Sequence, residues 1–317
     1  MKRTLGSTIF SALLIFAATI AGQAQTASPA ASIAERLGLP ANSRLLIIQS
    51  DIGMMHAIDR ATFEAVEKHW ITSATVLVAA PWFSEAAAFA KQHPEGDYGI
   101  HLMLNSEWTP YRWGPVMPRG VVPSLVDNDG YFPSSEDAVL AHAKSEEIEQ
   151  ELRAQIEKAK AAGIDITHFD SHMDTLFASA PLFEIYRRLG QEYAVPVLAM
   201  RSTIDRFKVP ADGLVVVDRR LEMRPGIPAA QWLDAYKRML APLPPGLYML
   251  SVHLGYDDAE HRGATAGHVN WGAAWRQTDF DVIRNPEFQR FLKEQGFVMV
   301  TWRELGRVVK PGAASGY

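Results

Sequence analysis

The chain contains no cysteine. Disulfides, thiolate metal ligands and thiol nucleophiles are therefore excluded, and stability has to come from a packed core even in an oxidising compartment. Excess positive charge is missing as well. Lys and Arg number 31 against 36 Asp and Glu, the two signs are interspersed, and the formal net charge is −5. No nucleic-acid partner is expected from such a surface. Beyond the N-terminus no apolar run approaches the roughly 20 residues of a membrane-spanning helix, so no stable membrane insertion is expected once a leader is removed. A glycine-rich phosphate loop after the first strand is also absent, which argues against an open dinucleotide-binding sheet.

What is present begins with a leader. Met1-Lys2-Arg3 precedes a mostly apolar run from Ile9 to Ile20, and Gly22-Gln23-Ala24 offers small residues at positions −3 and −1 of a cleavage site. This pattern reads as a signal peptide over 1–24, which makes the protein periplasmic or secreted. Residues 25–43 form a Pro/Ala/Ser-containing linker, 44–310 a single domain and 311–317 a tail. A chain of 317 residues with 48% hydrophobic content is long enough for one large core. A homodimer is left open.

From Arg44 onward short β-like runs alternate with longer helical ones, the signature of βα units around a parallel sheet. Strands are expected at Leu45–Asp51, Thr72–Ala79, Tyr98–Leu104, Ile166–His172, Val195–Arg201, Gly213–Asp218, Leu247–Leu254 and Phe297–Thr301. Helices are expected at Met55–Trp70, Trp82–Gln92, Ser135–Ala162, Pro181–Tyr193, Ala229–Leu240 and Asp281–Gln295, with a polar loop between Leu254 and Thr278. Seven or eight such units in about 270 residues fit an α/β fold of the distorted TIM-like (β/α)7–8 barrel type better than an open sheet. Asn105–Ser134 breaks the rhythm with Trp108, Tyr111, Trp113, several prolines and an Asp-Asn-Asp-Gly turn. An insertion of that length is usually functional, as a lid or a substrate wall. The run Glu146, Glu147, Glu149, Glu151 reads as a solvated helix face.

In a parallel barrel the active site lies at the carboxyl ends of the strands, so ionisable residues that close β-runs are the candidates. Asp51 closes Leu45-Leu46-Ile47-Ile48-Gln49-Ser50, and His101 lies in Gly99-Ile100-His101-Leu102. His168, Asp170 and His172 share one face of the next such run, because side chains alternate along a strand. His253 follows Met249-Leu250-Ser251-Val252. Imidazoles and carboxylates gathered at strand ends indicate a metal or acid/base site, and two histidines with one carboxylate suit a divalent ion that keeps open positions for water and substrate. The histidines at 56, 69, 93, 142, 261 and 268 fall on helices or loops and read as surface residues, with His56 near enough to the first strand end to reach the site mouth.

These motifs resemble the YdjC-like carbohydrate deacetylases. Ser50-Asp51-Ile52-Gly53-Met54 is similar to the family's Asp-Asp-Phe/Leu-Gly block, Gly99-Ile100-His101-Leu102 to Gly-Ile/Val-His-Leu, and His168-Phe169-Asp170-Ser171-His172 to His-Ile/Leu-Asp-Ser-His. Ser251-Val252-His253-Leu254-Gly255 matches the His-Pro block more loosely. The resemblance implies a barrel related to that of polysaccharide deacetylases and one divalent metal ion, zinc or magnesium, on Asp51, His101 and His172. It also implies hydrolysis of an acetyl group from an N-acetylated saccharide or glycolipid. His253 is then the candidate acid, with Trp108, Tyr111, Trp113 and Arg201 the candidate substrate-binding residues. One departure stands out: where the family carries its general-base aspartate, this chain has Ser50, so Asp170 becomes the candidate substitute. Asp174 is a second departure.

Overall fold

Apolar runs of strand length separated by longer amphipathic segments are best buried with the strands side by side and the helices outside. The computed structural model of the protein, which describes residues 31–309, has this arrangement. Helix α1 (Ile33–Arg36), closed by a Ser32 capping box, precedes β1 (Arg44–Ile52), α2 (His56–Glu67), β2 (Ser73–Val76), α3 (Phe83–Gln92) and β3 (Tyr98–Leu102). After a long excursion come α4 (Glu136–His142), α5 (Ser145–Ala161), β4 (Ile166–Ser171) and α6 (Ala180–Glu192). Next are β5 (Val197–Met200), α7 (Arg201–Phe207), β6 (Leu214–Val217), β7 (Arg219–Leu221) and α8 (Trp232–Leu240). The remaining elements are β8 (Gly246–Ser251), α9 (Ala259–Ala264), α10 (Ala273–Ile283), α11 (Pro286–Glu294), β9 (Phe297–Met299) and α12 (Trp302–Val308).

Eight parallel strands in the order β6-β5-β4-β3-β2-β1-β8-β7 curl into a nearly closed TIM-like barrel, and β9 pairs with the first residues of β1. The two edges, β6 and β7, are consecutive in the chain and separated only by Asp218. That residue stitches the seam: its N–H donates to the Leu247 carbonyl at 2.8 Å, and its carboxylate accepts the Leu247 N–H at 3.0 Å. β1 is buried on both faces from Leu45 to Ile52, as a central parallel strand must be. Leu45 and Ile47 join one apolar cluster, whereas Leu46 and Ile48 join the cluster built with α8, α10 and α11.

The floor of the barrel is polar. Trp302 Nε1–H donates to Gln49 Oε1 at 2.8 Å, which fixes the orientation of that amide, so Gln49 Nε2–H donates to Asp170 Oδ2 at 2.7 Å. His168 stacks on Trp302 with ring centroids 4.2 Å apart and bonds Gln49 Oε1 at 3.0 Å. Burial holds His168 neutral, its pKa lowered to about 3. The glycine of Gly99-Ile100-His101-Leu102 has a reason here, because a Cβ on Gly99 would lie 2.2 Å from the His168 ring.

Several boundaries differ from expectation. The helix expected over Ser135–Ala162 breaks into α4 and α5 at Ala143 and Lys144, where the Lys144 N–H donates to Ser124 Oγ. The segment expected as a polar loop contains α9 and the start of α10, and the helix expected over Asp281–Gln295 begins inside α10 and is interrupted at Asn285, which caps α11. Arg201 opens α7 rather than closing a strand. The Glu146–Glu151 run is not uniformly solvated. Glu151 is fully buried and accepts the Val116 and Met117 N–H groups at 2.9 Å, while Glu147 accepts that of Ser124 at 2.7 Å. These two carboxylates clamp the insertion to α5. The expected signal peptide lies outside the described residues, and no helix among those described is long and apolar enough to cross a membrane.

Gly99→Ala is expected to cost about 1–3 kcal/mol, the usual range for overpacking a filled interior. Urea unfolding checks this, and a variant as stable as the parent would mean that the His168–Trp302 stack yields without penalty.

Candidate active site

The carboxyl ends of β1, β3, β4 and β8 open onto one cavity of about 330 Å³. Asp51, His101, His172 and His253 all line it, together with Asp170 and Ser50. The expected residues from four separate strand ends therefore share one space. His101 and His172 meet edge to face with ring centroids 5.2 Å apart.

Two residues absent from the sequence-based set complete the cavity. Arg276, on α10, is buried and places Nη1 3.0 Å and Nη2 3.5 Å from the two carboxylate oxygens of Asp51. Burial opposes ionisation of Asp51, but Arg276, with His253 and His101, holds its carboxyl well below the usual carboxylate range. Glu107, in the insertion, sets Oε2 3.0 Å from His172 Nε2. Burial likewise opposes charge on both partners, yet each shifts the other towards its ionised form, Glu107 downward and His172 upward. Arg276 escapes sequence reasoning because it lies in a segment without periodicity, and Glu107 because nothing but the preceding strand end marks it.

One helix sets two active groups. Three residues after Arg276, Asp279 accepts the His253 N–H at 2.9 Å and the Tyr236 hydroxyl, so α10 holds both Asp51 and His253. His253 itself is half-buried and neutral, its pKa lowered to about 3 by desolvation despite Asp51 nearby. Asp170 Oδ2 lies 3.5 Å from His101 Nδ1, within ion-pair distance though without hydrogen-bond geometry. Burial opposes its charge, but His101 and Arg220 keep its carboxyl below the ordinary value. Beyond His172 the chain turns through two consecutive left-handed residues, Met173 (φ 52°) and Asp174 (φ 59°), and Asp174 forms a bidentate pair with Arg220 on the cavity wall.

Ser50 lines the cavity, but its hydroxyl is committed to neighbours. Its hydroxyl lies 3.1 Å from Thr62 Oγ1 and accepts the Leu254 N–H at 3.3 Å, joining β1 to α2 and to the segment after β8. Among the aromatics, Trp108 lines the cavity, whereas Trp113 and Tyr111 pack behind it, with the Tyr111 hydroxyl donating to the Met54 carbonyl. Burial at 2% exposure leaves Trp113 no free face. Trp271, unanticipated, lines the cavity in their stead. Arg201 is exposed, outside the cavity, and pairs with Asp218 at 3.2 Å. His56 pairs with Glu85 at 2.8 Å and does not reach the cavity lining. Two histidines expected at the surface are elsewhere: His261 is fully buried beside Trp108, and His268 lines the cavity.

The donors suit a divalent ion in chemistry. Asp51 is ionised, and His101 turns its Nδ1 towards a carboxylate, the outer partner that metal-binding imidazoles commonly have, leaving Nε2 for an ion. Among the described residues no closed cage of three donors is formed, with Asp51 turned onto Arg276 and His172 onto Glu107. Arg276→Met would leave Asp51 a buried unpaired anion, an expected loss of about 3–5 kcal/mol. Adding Asp51→Asn should restore much of it. Chemical unfolding of the single and double variants measures both, and equal losses would contradict the pairing.

Residues 44–294 match the family model described as YdjC-like protein. A carbohydrate deacetylase of Thermus thermophilus is 33% identical over 279 residues, covering 85% of this chain and 96% of its own length. One from Brevibacillus brevis is 37% identical over 154 residues, 49% of this chain and 58% of its own. Among solved structures, a proposed cellobiose-phosphate cleavage protein of Enterococcus faecalis superposes with a TM-score of 0.71 at 24% identity, covering 83% of this chain and 99% of that one, an agreement of fold.

Proposed function

Because the chain belongs to the YdjC-like family, we propose that it is a carbohydrate deacetylase, a metal-dependent hydrolase acting on an N-acetylated saccharide or glycolipid. The observation that carries this reading is the convergence of Asp51, His101, His172 and His253 on one cavity. A divalent ion, zinc or magnesium, held by Asp51, His101 and His172 would polarise the acetyl carbonyl and acidify water. The chain's own groups supply the rest. Asp170 orients His101, and Arg276 keeps Asp51 ionised. His253 lines the same cavity and is placed to relay a proton from the attacking water to the leaving nitrogen, though its lowered pKa means it holds no proton in the resting site and so does not start as the expected acid. That dual role needs no carboxylate at position 50. Water adds to the carbonyl carbon, the C–N bond breaks, and acetate and a free amine result. Trp271 offers an apolar face to the cavity, and Trp108, only 1% exposed, backs its wall. The leader-like N-terminus supports action outside the cytoplasm.

A second reading rests on Ser50. Its hydroxyl is engaged by Thr62 and Leu254, and no carboxylate stands at the position where relatives carry their base. On this reading the protein keeps the ion and the pocket but binds its saccharide without turnover.

Acetate release from N-acetylglucosamine oligomers, abolished by chelation and restored by added metal, is the expected result for the enzyme. His253→Asn should then lower kcat by about 100- to 10,000-fold, and His172→Ala should lose the metal. Tight sugar binding with no acetate across a panel of N-acetylated sugars would favour the second reading, and a large gain in rate for Ser50→Asp would show that a missing base limits the protein.

A further inference from the structure

Glu107 is a half-buried carboxylate, its side chain 21% exposed, that neither the strand-end pattern nor the family motifs assign. It enters the cavity from the insertion and is held on both sides. The Asn105 carbonyl accepts Trp113 Nε1–H at 2.8 Å, Asn105 Oδ1 accepts the Thr175 hydroxyl, and Trp108 on the other flank is only 1% exposed. The insertion is in turn clamped by Glu147 and Glu151 of α5. A carboxylate so firmly positioned inside a cavity is costly unless it faces a cation.

Two features say which cation it faces. The first is charge. Asp51, the one carboxylate in the proposed ligand set, already has both oxygens turned onto the Arg276 guanidinium. The pair is neutral, so Asp51, His101 and His172 alone would present little net negative charge to a divalent ion beside a fixed arginine. Asp170 adds negative charge nearby, but its two oxygens accept Gln49 Nε2–H and the Ser171 N–H, so Glu107 is the carboxylate left to face the ion. The second is spacing. Imidazole nitrogen and carboxylate oxygen bind divalent ions at about 2.0–2.2 Å, so neighbouring ligands at right angles lie about 3 Å apart. His172 Nε2 and Glu107 Oε2 are 3.0 Å apart.

We infer that Glu107 is a fourth metal donor, brought to the Asp51, His101 and His172 set by the insertion. This rests on the metal-dependent reading above. It also assigns the insertion a part in the metal centre in addition to forming a wall. The alternative is that Glu107 only orients His172 through a hydrogen bond, and the two differ in what a bound ion reports.

The test uses the full-length protein loaded with cobalt(II), whose visible absorption reports its ligands, alongside zinc affinity from calorimetry. Glu107→Gln keeps the shape and a hydrogen-bonding oxygen but weakens the donor. The expected result is an altered cobalt spectrum at saturation and zinc affinity lowered more than 100-fold, with Glu107→Asp retaining more affinity than Glu107→Gln. A wild-type cobalt spectrum in Glu107→Gln overturns the inference. If circular dichroism shows that Glu107→Gln has lost its fold, Glu107→His carries the test, since it keeps a donor of a different kind: a changed spectrum supports the assignment and an unchanged one overturns it. His172→Ala separates the two levels. Loss of metal there with Glu107→Gln unaltered sinks only Glu107, whereas a wild-type protein that binds no divalent ion overturns both.

Discussion

A carboxylate buried at the end of a central strand cannot stay ionised without a cation, and the arrangement of this site follows from how Asp51 meets that requirement. β1 is covered on both faces and Asp51 is only 6% exposed, so water solvates the group poorly. Arg276 stabilises its charge instead. Bringing a guanidinium there requires α10 to present Arg276 to the strand ends, and once it does, Asp279 one turn on captures the backbone of His253. The ion pair thus positions a catalytic candidate that it never touches. It also removes charge from the proposed ligand set, a deficit that on our proposal Glu107 makes good.

Much of this was legible in the sequence, because strands buried on both faces read as apolar runs and the residues that close them read as interruptions. Asp51, His101, His172 and His253 were found that way, and the barrel followed from the alternation of runs. Elements that violate the pattern were missed for physical reasons. α10 buries Trp275, Arg276, Asp279 and Phe280 together, so it has no clean polar face to betray a helix. α5 buries Glu147 and Glu151 because the insertion needs acceptors for its own N–H groups, and Gln155 because it bonds the Met103 backbone, and a composition-based reading takes such residues for surface. β7 is three residues long, Arg219-Arg220-Leu221, too short and too charged to register as a strand, yet it carries Arg220 to the cavity wall.

The substitution at position 50 looks less severe in the structure than in the motif. Ser50 faces Thr62 and the Leu254 amide, a joint between β1, α2 and the segment that leads from His253. A serine fits that joint without bringing another negative charge beside Asp51. The polar centre already holds three carboxylates, Asp51, Glu107 and Asp170, against Arg276 and His172, so an additional aspartate would add to its negative charge. On the proposed reading proton transfer falls to His253, which lines the same cavity.

The central claim is that Asp51 is shared between a fixed guanidinium and a divalent ion bound with His101 and His172. Diffraction at the manganese absorption edge, from crystals grown with Mn²⁺, tests this directly. A single anomalous peak bounded by Asp51, His101 and His172, with Arg276 still against Asp51, is the predicted result. No peak at saturating Mn²⁺, or a peak away from these three residues, would contradict it.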